Sequence, residues 1–249
     1  MSMVGRLTDA VERVRRLAIL GLFACVLIFV LFEALRGEQF WNKIKGEGNL
    51  WNYGSSLLYF MAAEMAIVNA ILLGYYRNSV RRDGRSWQWL TWAAAGAAFV
   101  FFACDEMLEV HEKLGLAMER SLPWLKQVYP GQADNLISAA YLTGAVVFVL
   151  VFFRFLPVGR QASMYLIGAF SMIAFAVVLD VAPRWLYISY LPFRETEELL
   201  EVFAGFSFTA AFISSGAYVL SRILRAFADL ERVVEFRIGG AKVDTRPQV

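Results

Sequence analysis

The sequence contains few of the residues from which proteins commonly build metal and redox sites. It has one histidine and two cysteines in 249 residues, and only 18% of its residues are charged. A single histidine excludes a haem with two histidine ligands and the histidine-rich sites of membrane desaturases, and no HExxH motif is present. Cys25 and Cys104 fall in different hydrophobic runs. We therefore expect neither a disulfide between them nor a cysteine metal site.

Apolar residues dominate the chain. Hydrophobic residues make up 59% of it, and the mean hydropathy is +0.52. Several runs reach the roughly 20 apolar residues that a helix needs to cross a bilayer. These runs are continuous rather than alternating, which excludes a transmembrane β-barrel. The sequence therefore predicts an all-α, polytopic membrane protein.

Six apolar runs predict a bundle of six transmembrane helices. The predicted helices cover residues 17–35, 56–76, 87–109, 136–155, 162–181 and 195–220. Residues 1–221 would form a single transmembrane domain, and residues 222–249 a cytoplasmic tail that is amphipathic and partly disordered. Lysine and arginine are concentrated on the side that holds both chain ends. The positive-inside rule then places the N- and C-termini in the cytoplasm.

One stretch combines a membrane-type segment with a group of ionisable residues. Residues 101–112, FFACDEMLEVHE, end in Asp105, Glu106, Glu109, His111 and Glu112, and His111 is the single histidine. A charged side chain near lipid costs a few kcal/mol or more unless it is paired, neutralised or bound to a cation. We therefore expect this stretch to form one wall of a functional site.

Further acids fall at the same depth as this stretch when residues are placed at about 1.5 Å per helical position. Carboxylates from five of the six predicted helices then lie in the outer half of the membrane. Those outside the stretch that we assign to the site are Glu64, which is the deepest, Asp180, Glu197, Glu198 and Glu201. On a continuous helix, Asp105, Glu109 and Glu112 would form one narrow stripe.

Carboxylates with one imidazole suit Mn, Fe or Zn, and oxygen ligands alone suit Ca. We predict a divalent metal ion (Fe, Mn, Zn or Ca) bound by Asp105, Glu109, His111, Glu112, Glu198 and Glu201, with Glu64, Glu106, Asp180 and Glu197 as neighbours. The Glu-x-x-His motif of ferritin-like di-iron proteins is absent, because residue 108 is leucine. The protein could act on a lipid or another small membrane molecule. In that case the metal would polarise the substrate or activate water, and Glu112 or Glu198 would be the general base. Whether it is an enzyme stays open.

Two hypotheses of other classes compete with the metal site. A cation- or proton-coupled transporter would use Glu64, in mid-membrane, as the start of a path. Against this, the inner halves of the last three predicted helices contain no ionisable residue that could continue the path. A non-catalytic subunit of a membrane complex would need no site, because Glu197 and Glu198 suit the first turn of a helix.

The segments around Asp105 and Glu198 resemble those of an uncharacterised family of bacterial multi-pass membrane proteins. Its members pair a DExxxxHE segment with a later EExxE segment. Here these correspond to Asp105, Glu106, His111 and Glu112, and to Glu197, Glu198 and Glu201. The resemblance implies a bacterial inner membrane and a pairing of the two acidic segments, and it carries no activity.

Expected partners follow from composition. We expect membrane lipids to bind the basic tail through their anionic headgroups, and we expect no nucleic acid. A homo-oligomer or a partner in a membrane complex remains open. The AAAGAA run at residues 93–98 would allow close approach between helices.

Overall fold

The computed structural model describes residues 3–35, 50–79, 87–128, 133–152, 159–186 and 191–240. The described residues form helices and no strand, as expected for the all-α class. The helices are α1 (Met3–Leu35), α2 (Leu50–Ser79), α3 (Trp87–Leu108), α4 (Val110–Ser121), α5 (Pro123–Val128), α6 (Ala133–Phe152), α7 (Arg160–Leu186) and α8 (Leu191–Gly240). Five segments are long and apolar enough to cross a membrane: Met3–Phe32, Trp51–Tyr76, Trp87–Leu108, Arg160–Leu179 and Thr196–Asp229. By length and composition, the chain is thus a multi-pass membrane protein.

Helix α8 is the central element of the bundle. It packs against α1, α2 and α7, and 78% of its apolar window is buried, compared with 17% for α1. Its buried face is rich in small residues, among them Ala204, Ala210 and Ala211, which are fully inaccessible. Small side chains let neighbouring helix backbones approach closely where lipid supplies no hydrophobic driving force.

Helix α2 approaches α8 so closely that two glycines are required. A Cβ atom on Gly205 would lie 2.9 Å from Leu58 Cβ, and one on Gly216 would lie 2.6 Å from Asn69 Oδ1. Two interhelical hydrogen bonds accompany this approach. The Asn69 side-chain amide donates to the Phe212 carbonyl at 3.0 Å, and the Thr209 hydroxyl donates to the Leu58 carbonyl at 2.8 Å. These contacts fix the position of α2 along the axis of α8.

Helix α3 packs on α2 and reaches α8 through aromatic rings. A Cβ atom on Gly96 would lie 2.9 Å from Ile67 Cγ1, so this glycine also permits close approach. The Phe99 ring lies 4.8 Å from Phe208 and 5.2 Å from Phe212, both in edge-to-face geometry. Helices α2, α3 and α8 thus share one core, and the C-terminal end of α3 lies beside the N-terminal half of α8.

Several helices extend beyond their predicted ends. Helix α1 begins at Met3, fourteen residues before the predicted start at 17, and its Arg15 is buried where it hydrogen-bonds to Glu12 and to Ser214 of α8. Helix α2 begins at Leu50, six residues before its predicted start at 56, and its Trp51 is buried against Phe29. Residues 195–240, predicted as a membrane span followed by a separate surface helix and tail, belong to one uninterrupted helix.

Helix α6 begins at Ala133, three residues before its predicted start at 136, and its predicted end at 155 lies outside the described residues. Helix α7 runs from Arg160 to Leu186, beyond its predicted limits of 162–181. Helix α6 lies at the periphery, where it contacts α4 and α7. A Cβ atom on Gly115 of α4 would lie 2.6 Å from the Asp134 nitrogen, so this glycine sets the α4–α6 contact. Cys25 and Cys104 are both free, in agreement with the sequence.

Candidate functional site

The acidic stretch is divided by a break in the helix. Helix α3 ends at Leu108, and α4 begins at Val110. The residue between them, Glu109, has φ 51° and ψ 45° and is the only non-glycine residue with positive φ in the described chain. A non-glycine residue in this left-handed region costs about 1–2 kcal/mol. Such strain persists where surrounding contacts hold the backbone in place.

Asp105 supplies those contacts. It is 4% exposed, and its Oδ1 accepts a hydrogen bond from the backbone N–H of His111 at 2.8 Å. Its Oδ2 lies 2.9 Å from His111 Nδ1. The carboxylate therefore binds a free N–H at the start of α4 and fixes the imidazole ring. Because Nδ1 is engaged, Nε2 is the ring nitrogen left for another ligand.

A lysine closes the other side of the break. Lys113 Nζ donates to the carbonyl oxygen of Leu108 at 2.7 Å, and its backbone N–H donates to the carbonyl of Glu109 at 3.0 Å. The helix does not continue past Leu108, so the last carbonyl oxygens of α3 receive no hydrogen bond from a following turn. A positively charged donor beside them is therefore favourable. The break is thus held by Asp105 on one side and by Lys113 on the other.

The imidazole of His111 is held in its charged form. Burial of the ring favours the neutral form, but this is outweighed by the hydrogen bond to Asp105 and by the charges of Asp105, Glu106 and Glu112. The net effect raises the pKa of His111 from 6.5 to about 9. His111 and Asp105 therefore form an ion pair at neutral pH.

Helix α8 brings the second acidic segment to this site. The carboxyl of Glu106 interacts electrostatically with His111, Glu198, Asp105 and Glu112. The buried Tyr59 of α2 interacts electrostatically with both Glu106 and Glu201. We call the following residues the acidic cluster: Tyr59, Asp105, Glu106, His111, Glu112, Glu198 and Glu201.

Within the cluster the side chains differ in exposure. Asp105 is buried, Glu106 and His111 are half-buried, and Glu112 is exposed in the first turn of α4. Glu198 and Glu201 are half-buried on α8. The cluster thus runs from a closed interior, at Asp105 and Tyr59, to an accessible edge at Glu112.

The predicted stripe of Asp105, Glu109 and Glu112 does not exist. It required a continuous helix, and the break at Glu109 turns α4 away from the axis of α3. Glu109 forms the break and is half-buried, while Asp105 binds His111. Asp105 and Glu109 thus both shape the break, and their assignment as metal ligands stays a prediction.

The structure also corrects the placement of Glu64. We expected it inside the bundle below the other acids, but it is exposed. On α2 the small residues Ala62, Ala63 and Ala66 face the core, and Glu64 lies about 150° from the centre of that face. Glu197 is half-buried near Glu198, and the side chain of Asp180 is outside the described part of the chain.

Sequence reasoning missed two tyrosines. Tyr59 is buried and lies within electrostatic range of Glu106 and Glu201, and Tyr141 of α6 lies within range of Asp105. Tyrosines in apolar helices carry no sequence signal that separates a site residue from a core residue. Only the packing of α2 and α6 reveals them.

The described residues contain no set of three or more His, Cys, Asp or Glu side chains arranged to hold a metal ion. In this arrangement Asp105, Glu106 and Glu112 act on the His111 imidazole, and Glu198 and Glu201 join the cluster through Glu106 and Tyr59. Such an excess of carboxylates attracts cations.

The chain belongs to the family described as a domain of unknown function, DUF8692, whose model matches residues 19–215. The matched range includes both acidic segments and excludes the part of α8 beyond residue 215. No curated protein and no solved structure matches the chain.

Proposed function

We propose that this is a bacterial inner-membrane protein whose acidic cluster binds a divalent cation. Six spans cross the membrane, with α6 as the sixth, and both termini are cytoplasmic. This topology rests on the distribution of lysine and arginine and on the 20-residue apolar length of α6. It puts the cluster at the outer leaflet.

The observation that carries the proposal is the geometry of His111. Metal-binding histidines almost always donate their second ring N–H to a carboxylate, a backbone carbonyl or a water, which fixes the ring and its tautomer. Asp105 accepts such a hydrogen bond from the His111 ring and a second one from the backbone N–H of the same residue. The remaining nitrogen, Nε2, is the ligand we assign.

The carboxylates that complete the cation site come from two helices. Glu106 on α3 and Glu198 on α8 interact electrostatically with each other and, through Glu106, with His111. Both are glutamates, whose side chains can rotate toward an ion without movement of the backbone. A divalent cation would relieve the repulsion among them, and Glu201 and Glu112 would complete the ligand set.

A catalytic form of the proposal uses the exposed edge of the cluster. The bound cation would polarise a lipid or another small membrane molecule, or activate a water molecule. Glu112 is exposed and Glu198 is half-buried, so either could accept a proton as the general base. The transport alternative depended on Glu64 below the cluster, and the exposure of Glu64 removes that support.

The test is cation binding by purified protein in detergent, measured by calorimetry with Mn²⁺, Zn²⁺, Ca²⁺ and Fe²⁺ under anaerobic conditions. We expect His111→Ala and Glu198→Gln to weaken binding of the preferred ion at least tenfold. Asp105→Asn should weaken it about 10–100-fold, as for other groups that orient a metal ligand.

Asp229→Asn is the matched control, because Asp229 is an exposed carboxylate on the same helix as Glu198, 31 residues away. It should bind the ion as the wild type does. Equal binding by the wild type and all four variants, or no binding of any ion by the wild type, would contradict the proposal.

A further inference from the structure

Glu64 occupies an unusual place on the surface of the bundle. It is the only charged residue of the span Trp51–Tyr76 and lies at its middle. It is exposed, and it forms no hydrogen bond or ion pair with the rest of the described chain. Its exposed neighbours on α2 are apolar: Leu57, Ile67, Val68 and Ile71.

A carboxyl group at this depth is costly against lipid. The charged form costs a few kcal/mol or more, and ionisable residues in membrane spans almost always face protein or water. Protonation removes the charge, but the neutral carboxyl still carries an O–H donor and a carbonyl acceptor that lipid tails cannot bind. The surface around Glu64 therefore favours a protein partner over lipid.

A groove begins one helical turn from Glu64. It lies between α2 and α3, has a volume of about 760 Å³, and is lined by apolar residues that include Ile67, Ile71 and Val100. Small residues form much of its floor, among them Ala70, Gly74, Ala93 and Ala97. Such a surface permits the close approach of a helix.

We propose that a second copy of this chain covers this surface, in a two-fold symmetric dimer with Glu64 near the axis. In a two-fold interface, a residue near the axis meets its own copy. A protonated carboxyl is self-complementary, because it has one donor and one acceptor, so two Glu64 side chains can satisfy each other. The partner's span Trp51–Tyr76 contributes no charged group besides its own Glu64. The groove of each chain receives helix surface from its partner.

The test is the oligomeric state of full-length protein in phospholipid vesicles. Single-molecule photobleaching of a C-terminal fluorescent label, across a series of protein-to-lipid ratios, gives the dimer dissociation constant. We expect a wild-type dimer. Glu64→Leu should weaken it at least tenfold, whereas Glu64→Gln should stay within about threefold, because an amide pair is also self-complementary.

A glycine pair gives an independent comparison. A Cβ atom on Gly74 or on Gly21 would meet no atom within 4 Å in the monomer, so leucine at either position should be compatible with the fold. Gly74 lines the groove and Gly21 lies on α1. We expect Gly74→Leu to weaken the dimer at least tenfold and Gly21→Leu to leave it unchanged.

Two results would overturn the dimer. One is a wild type that is monomeric at every protein-to-lipid ratio, as expected if lipid or a different protein covers the groove. The other is a dimer whose dissociation constant shifts less than twofold in both Glu64→Leu and Gly74→Leu. Circular dichroism of each variant separates lost association from lost folding. The proposed function is tested separately, because cation binding should be the same in Glu64→Leu and in the wild type.

Discussion

Asp105→Asn should lower the pKa of His111 from about 9 to below 6.5. In the wild type the raised pKa reflects the hydrogen bond to Asp105 and three nearby carboxylate charges, which together outweigh burial. Replacing the carboxylate with an amide removes the hydrogen bond to a charged acceptor and the nearest charge, while burial of the ring and the charges of Glu106 and Glu112 remain. Burial, which favours the neutral imidazole, is the largest single effect, and we expect it to outweigh these two charges.

The free energy by which the folded protein stabilises the charged imidazole follows from the change in its pKa. The rise from 6.5 to about 9 corresponds to about 3 kcal/mol, at 1.36 kcal/mol per unit. The His111 side chain is 23% exposed and that of Asp105 is 5% exposed, so solvent screens the pair only in part. Because the folded pKa is above the unfolded one, this stabilisation is fully present below about pH 6.5 and is lost as the pH rises through about 9.

The single histidine makes the assay direct. Protein labelled with ¹⁵N only in histidine gives the two ring-nitrogen signals of a single imidazole, whose shifts from pH 5 to pH 10 in nanodiscs report His111 alone. We expect a midpoint near pH 9 in the wild type and in Asp229→Asn, and below 6.5 in Asp105→Asn. A wild-type midpoint near 6.5, or an unchanged midpoint in Asp105→Asn, would refute the ion pair.

Three further predictions concern the helix break, the packing and the cation. Glu109→Gly should leave thermal unfolding unchanged or raise stability by up to about 1 kcal/mol, and Glu109→Val should lower it by more than 1 kcal/mol, because only glycine is unstrained at φ 51°. Gly216→Ala should destabilise the fold by about 1–3 kcal/mol, because the new Cβ would lie 2.6 Å from Asn69 Oδ1, whereas Gly144→Ala, with no atom within 4 Å, should not. Cation affinity should rise about tenfold per pH unit between pH 7 and 9, because the ion displaces a proton from His111, and in Asp105→Asn this slope should disappear above pH 7. A destabilising Gly144→Ala, or a wild-type affinity that does not depend on pH, would count against the respective reasoning.

The sequence predicted the helices and the region of the site because both depend on simple physical constraints. Continuous apolar runs must be helical in lipid, so α2, α3 and α7 lie close to their predicted positions. The depth of each acid follows from its distance along a helix, which placed the segments of Asp105 and Glu198 at one level. The structure brings residues from both segments within electrostatic range.

The facing of α2 could not be predicted, because both of its sides are apolar. In lipid the packed face is chosen by small residues and close contacts rather than by hydrophobicity, so Ala62, Ala63 and Ala66 turn inward and Glu64 outward. The break at Glu109 is also invisible in sequence, since glutamate is not a residue that marks a left-handed position. It depends on Asp105, Lys113 and their hydrogen bonds.

The most direct test of the proposed cation site asks whether the bound ion contacts His111. Pulsed electron paramagnetic resonance of bound Mn²⁺ detects the nitrogen of a coordinated imidazole, and this chain has only one histidine. We expect one nitrogen coupling in the wild type and in Glu64→Gln, and none in His111→Ala. Stoichiometric Mn²⁺ with no nitrogen coupling in the wild type would contradict the site built on Asp105 and His111.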